Sequence, residues 1–126
     1  MGGNQKIVFL VDDDMTNLMT GKRALSNLYN VYTVGSGKAL LALLEKITPD
    51  LILLDIEMPE MNGYEALKRI KGNEKTAGIP VIFLTSHNEK TAVVEGITLG
   101  ATDYIIKPII PIKLLVRVNA FFDKSG

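Results

Sequence analysis

The chain of 126 residues has no cysteine and a single histidine, His87. Without thiols there is no disulfide framework, no cysteine-based zinc cluster and no thiol nucleophile, and one imidazole is too few for a His-based metal site or a Ser/His triad. These absences fit the cytoplasm, which is the expected location. An excess of charge of either sign is also missing. Lys plus Arg and Asp plus Glu number 14 each, so no net field draws the protein onto nucleic acid or an anionic membrane, and neither is expected as a direct partner. No apolar run approaches the ~20 residues needed to span a bilayer, and the start lacks the charged-then-apolar build of a signal peptide.

What is present is an apolar content of 47%, in a chain long enough for one domain with a sizeable core and too short for two. A single domain over residues 1–126, with its core over residues 5–123, is expected, and no output segment is legible after Phe122. Apolar runs of strand length, Ile7–Val11, Val31–Val34, Leu51–Leu54, Val81–Leu84 and Tyr104–Ile106, alternate with segments of helical period. The clearest helical segments are Leu40, Leu41, Leu43, Leu44 and Ile47, and Leu114, Leu115, Val118, Phe121 and Phe122. The alternation predicts an α/β fold of the (βα)5 type. Runs such as Leu51-Ile52-Leu53-Leu54 have no polar face, which suits parallel strands covered by helices on both sides.

The punctuation agrees. Ser36 can cap the second helix, Gly72 can end the third, Ser86-His87-Asn88-Glu89 has the spacing of a capping box, and Pro49 and Pro80 stand just before strands. Gly63, after Met61-Asn62, reads as a turn residue with positive φ. Gly96 falls inside the helix that follows Ser86, next to β-branched Ile97 and Thr98, and glycine there costs about 1 kcal/mol against alanine. Low local stability is expected in that helix, and Gly96→Ala is expected to raise it.

Chemistry is concentrated at the strand ends. The first strand runs into Asp12-Asp13-Asp14, the third into Asp55, the fourth into Thr85-Ser86 and the fifth into Lys107, while the second ends in the uncharged Gly35-Ser36. In a doubly wound sheet the carboxyl ends of the strands line up along one edge, where ligands bind. The carboxylates, the hydroxyl and the ammonium should therefore converge, with the second strand at the sheet's border. Clustered carboxylates repel unless a cation compensates them, and oxygen ligands without His or Cys favour Mg²⁺ or Mn²⁺, which retains waters and commonly bridges to a phosphoryl group. Lys107 and Thr85 suit phosphoryl oxygens, and one carboxylate can act as nucleophile to form an aspartyl phosphate. The plainer reading of the acidic run is a helix cap with first-turn acids, and Asp14 is expected to serve so.

The chain resembles the receiver domain of two-component response regulators, the chemotaxis-regulator-like family. The matching stretches are Val11–Asp14, Asp50–Leu67, Ile79–Ser86 and Leu99–Pro108. The resemblance implies a flavodoxin-like receiver fold, a five-stranded parallel sheet in the order 2-1-3-4-5. It implies that Asp55 accepts phosphate from a sensor histidine kinase or phosphotransfer protein, that Asp13, Asp55 and the main-chain oxygen of Glu57 contact Mg²⁺ directly, and that Asp12 acts on it mainly through water. Thr85 and Lys107 would hold the phosphoryl oxygens, Thr85 and Tyr104 would form the switch, and Glu57 and His87 would influence phosphate lifetime. Lys107-Pro108 would be a cis peptide. A phosphorylation-dependent homodimer through the face formed by the fourth helix, fifth strand and fifth helix is a further expectation. The implied protein is a signalling switch, not an enzyme, assisting only its own phosphorylation and dephosphorylation. Ile109 departs from the family, which usually carries an aromatic there.

Two other readings share parts of the pattern. Asp12-x-Asp14-x-Thr16 fits the nucleophile motif of haloacid-dehalogenase-type phosphatases, which would place phosphate on Asp12, but the chain is short for that fold and Asp55 would have no role. A flavodoxin-like cofactor binder conflicts with three carboxylates where a phosphate must be cradled. Within the receiver reading, the closing stretch Gly96–Val118 is similar to receivers attached to cyclic-dinucleotide enzymes, so the chain either acts alone or belongs to such a larger regulator.

Overall fold

The computed structural model describes residues 5–86 and 96–125. The strands are β1 (Ile7–Val11), β2 (Asn30–Val34), β3 (Leu51–Asp55), β4 (Val81–Thr85) and β5 (Asp103–Ile106). Between them run the helices α1 (Met15–Leu25), α2 (Gly37–Leu44) and α3 (Gly63–Lys71); residues 96–98 are helical and are labelled α4, and α5 (Pro111–Ser125) closes the fold. All strand pairs are parallel in the order β2-β1-β3-β4-β5, so the uncharged β2 does stand at a border.

Period-two alternation on buried strands produces two cores. Val8, Leu10, Leu51, Leu53, Ile82 and Leu84 face the layer of α1 and α5, meeting Leu18, Leu25, Leu114 and Val118. Phe9, Val11, Ile52, Leu54, Val81 and Phe83 face the layer of α2 and α3, meeting Leu40, Ala66, Leu67 and Ile70. β3 and β4 are buried along their whole length, as strands sandwiched between helical layers must be. Among the described residues no helix is long and apolar enough to cross a membrane.

The caps follow the sequence with one addition. Asp14 accepts the Thr16 N–H, Ser36 accepts the Ala39 N–H, and Gly72 is the C-cap of α3. Asn62 and Glu65 form a full capping box that starts α3, a pairing not singled out from the sequence although its Asn-x-x-Glu spacing is legible.

Three expectations are revised. α2 ends at Leu44, and Ile47 lies beyond it, its N–H still bonded to the Leu43 carbonyl at 2.9 Å. Gly63 does not have a positive φ; the left-handed residue of that loop is Glu60, at φ 67°. Glycine is required at 63 for a different reason, since a Cβ there would lie 2.5 Å from the Asp55 carbonyl oxygen and 2.8 Å from Ile56 Cα. Gly96 is buried, and a Cβ there would lie 2.7 Å from Cδ2 of the Phe83 ring, so alanine meets a core side chain before any helical gain is realised. The rest of the expected capping box after Ser86, His87 to Glu89, lies outside the described residues.

Candidate functional site

Strand register builds the site. Val11 pairs with Leu54 and Asp55 with Leu84, so Asp12, Asp55 and Thr85 emerge from adjacent strands at nearly the same level. Thr85 pairs with Ile106, and the Lys107 N–H donates to the Thr85 carbonyl at 2.7 Å. The Lys107–Pro108 bond is cis.

Lys107 is shared between two carboxylates. Its Nζ lies 2.8 Å from Asp55 Oδ1 and 3.1 Å from Asp12 Oδ2, and these aspartates are 1% and 0% exposed. Asp12 is fully engaged: Oδ1 accepts the Asp14 N–H at 2.9 Å, and Oδ2 also accepts from Asn17 Nδ2 at 3.0 Å. Asp55 is engaged on one side. Its Oδ1 accepts a longer bond from the Glu57 N–H at 3.3 Å, while the buried Oδ2 has no hydrogen-bond partner among the described residues. A buried, unsatisfied acceptor is costly, and native proteins keep few of them.

The electrostatics follow from one ammonium serving two buried anions. Burial pushes the Asp55 carboxyl up from 3.8 to about 6; the Lys107 hydrogen bond opposes this and the charge of Asp12 adds to it. Burial alone would depress Lys107, but its bonds to Asp55 and Asp12 outweigh that and hold its pKa above the ordinary value. The site has a surplus of negative charge and an acceptor to spare.

Asp13 is exposed and completes the cluster. One carboxylate oxygen each from Asp12, Asp13 and Asp55 lie within 4.8 Å of one another, and an all-oxygen set suits a hard divalent cation. At the rim, Ser86 Oγ donates to Glu57 Oε1 at 2.7 Å, tying the segment after β4 to the one after β3. Tyr104 is half-buried against the α2/α3 core, and its carbonyl accepts from Arg117 at 2.8 Å. His87 lies outside the described residues.

The sequence-predicted Asp12, Asp13, Asp55 and Lys107 are thus in one cluster, with Thr85 beside them at the end of β4. Asn17 was not anticipated as a contributor, nor was the bond from Ser86, a strand-end residue in the sequence, to Glu57. Asn17 sits five positions from Asp12 on a helix, with no motif to mark it.

A family model for the response regulator receiver domain matches residues 8–119. The chain belongs to this family. A probable cyclic di-GMP phosphodiesterase of Vibrio cholerae is 42% identical to the receiver over 106 residues, which are 84% of this chain and 24% of that protein. The transcriptional regulatory protein CrdR of Helicobacter pylori is 37% identical over 120 residues, 94% of this chain and 56% of the relative. The receiver spans only those portions of both relatives' lengths. Among solved structures, the chemotaxis response regulator CheY4 of Vibrio cholerae superposes with a TM-score of 0.88 at 29% identity, covering 93% of this chain and 98% of that one. The 2-1-3-4-5 sheet read from the resemblance is the sheet observed. The protein is a receiver of two-component signalling, a phosphoacceptor switch.

Proposed function

We propose that Asp55 is the phosphoacceptor and that its Oδ2 is the nucleophile. The observation that carries this is the asymmetry between the two buried aspartates. Both oxygens of Asp12 are occupied by protein donors, whereas Asp55 Oδ2 retains its lone pairs and has no partner among the described residues. That favours Asp55 over Asp12, the nucleophile under the phosphatase reading. In this account Asp12, Asp13, Asp55 and the main-chain oxygen of Glu57 hold Mg²⁺, which when bound neutralises the surplus charge and supplies Lewis-acid stabilisation of the transferring phosphoryl group. Asp55 Oδ2 attacks the phosphorus of a phosphohistidine on a sensor kinase or phosphotransfer protein, the P–N bond breaks, and the imidazole leaves. Lys107 then exchanges a carboxylate for a phosphoryl oxygen, and Thr85 donates its hydroxyl to another.

The catalysis is confined to the domain's own phosphorylation and dephosphorylation, with Glu57 and His87 tuning the lifetime. We further propose that Thr85 and Tyr104 relay the change to a face comprising α4, β5 and α5. Ile106, Ile110, Ile112 and Val116 are exposed there beside a cavity of about 670 Å³, which supports phosphorylation-dependent homodimerisation. The cytoplasm, where such kinases deliver phosphate, is the proposed location. A second reading, a receiver working within a larger regulator, draws support from the 24% coverage of the Vibrio cholerae phosphodiesterase relative.

Labelling tests the assignment. With Mg²⁺ and acetyl phosphate the protein should gain one hydroxylamine-labile phosphoryl group, lost in Asp55→Asn. Calorimetric Mg²⁺ binding should be abolished in Asp13→Asn, and an unaltered titration there would remove Asp13 from the metal site.

A further inference from the structure

Asn17 lies in the first turn of α1, and its side chain reaches back to Asp12 Oδ2 at 3.0 Å, the oxygen that Lys107 Nζ approaches at 3.1 Å. The orientation of the amide is fixed by chemistry, because an ionised carboxylate only accepts and the nitrogen must face it. Asp12 is fully buried, so each donor it loses leaves an uncompensated charge away from water.

We propose that Asn17 is a positioning residue for phosphotransfer: it is the donor that holds Asp12 in place while Lys107 moves from the carboxylates to the incoming phosphoryl group. The inference rests on Asp55 as the phosphoacceptor. Lys107 is the most heavily contested group in the site, bonded to Asp55 and Asp12 together, and stabilising phosphoryl oxygens requires it to release at least one of them. With Asn17 and the Asp14 N–H in place, Asp12 keeps one donor on each oxygen after that release. Without Asn17, Oδ2 has Lys107 alone, and the lysine is held in the resting arrangement. Asp12 bonds are also what aim its carboxylate toward the Asp13 and Asp55 oxygens, but there the Asp14 N–H fixes the plane from the other side. Loss of Asn17 should therefore slow phosphotransfer more than it weakens Mg²⁺ binding. α1 is anchored independently, by its Asp14 cap and by Leu18 and Leu25 in the core, so the first turn does not depend on this bond to form.

The test compares Asn17→Leu, Asn17→Asp and Asn17→His with the unaltered protein. Phosphorylation by acetyl phosphate at saturating Mg²⁺ is followed by intact mass, at a temperature where circular dichroism reports each variant folded, and the Mg²⁺ dissociation constant is measured separately by calorimetry. Hydrogen bonds to a charged group are among the stronger ones, so the rate in Asn17→Leu should fall on the order of tenfold or more. The dissociation constant should change less than about threefold. Asn17→Asp preserves the shape, replaces the donor with an acceptor, and should be slower still; it serves alone if Asn17→Leu does not fold. Asn17→His, whose Nδ1–H presents a donor near the same position, should recover much of the rate. An unaltered rate in the folded Leu or Asp variant overturns the proposal. So does a rate loss that His fails to recover, which assigns the effect to packing. If the unaltered protein takes no phosphoryl group, or Asp55→Asn still takes one, the reading of the site fails first, and does so without reference to Asn17.

Discussion

Single side chains set the energetics of this site, and Asp55 is the informative one. Its carboxyl titrates near 6 in the fold against 3.8 for an unperturbed group, so the folded state holds the proton more tightly than the unfolded chain does. The resulting contribution favours folding in full below the unfolded value and is lost as pH rises through the folded one. In chelator, unaltered protein should therefore lose on the order of 2 kcal/mol relative to Asp55→Asn between about pH 4 and pH 7. Urea unfolding of both proteins at the two pH values measures it; a constant difference would mean that Asp55 does not carry the shift. Lys107→Met removes the ammonium from two buried carboxylates and should cost about 3–5 kcal/mol near neutrality. Its penalty should shrink in acid, where Asp55 can take up a proton instead. That contrast separates an ion-pair role for Lys107 from the packing of its methylenes.

At the scale of elements, glycine contacts decide what the loops tolerate. Gly63→Ala places a methyl against the backbone of Asp55 and Ile56, which cannot rotate away, and should destabilise the fold by about 1–3 kcal/mol. Because the same backbone leads into Glu57, Mg²⁺ affinity should fall with it, a coupling that parallel melting and calorimetry would detect. Gly96→Ala should also destabilise, reversing the sign that helix propensity assigns, since the methyl is directed at the fully packed Phe83 ring. A higher melting temperature for this variant would refute the packing argument. These two positions show where sequence reasoning stops. Strand and helix order, the β2 border and the Asp14 and Ser36 caps were legible because each rests on local spacing or an apolar run. The reasons for Gly63 and Gly96 were not, because their neighbours come from other elements. Asn17 was hidden likewise: its partner precedes the helix it sits on, and no periodicity joins the two. Asp12, Asp13, Asp55, Thr85 and Lys107 stood out because each directly follows or closes an apolar strand, and parallel register aligns those ends.

For the whole molecule, the proposed output face rests on four exposed aliphatic side chains. Ile106, Ile110, Ile112 and Val116 border one cavity on β5 and α5, and the proposed homodimer would take that apolar surface out of water. In Mg²⁺ and beryllofluoride, sedimentation should show a monomer becoming a dimer, and Ile112→Glu combined with Val116→Glu should remain monomeric while still accepting phosphate. Thr85→Ala should also accept phosphate on Asp55 but fail to dimerise. A monomeric unaltered protein in beryllofluoride would retire this surface as a homodimer interface. Of the fourth helix, expected to have low local stability, residues 87–95 lie outside the described residues. The switch depends on which carboxylate receives the phosphoryl group. Borohydride reduces an aspartyl phosphate to homoserine, so reduction of the acetyl phosphate-treated protein followed by tandem mass spectrometry of its peptides locates the modified position directly. The account predicts homoserine at position 55 and intact aspartate at position 12; homoserine at position 12 with Asp55 unmodified would contradict it.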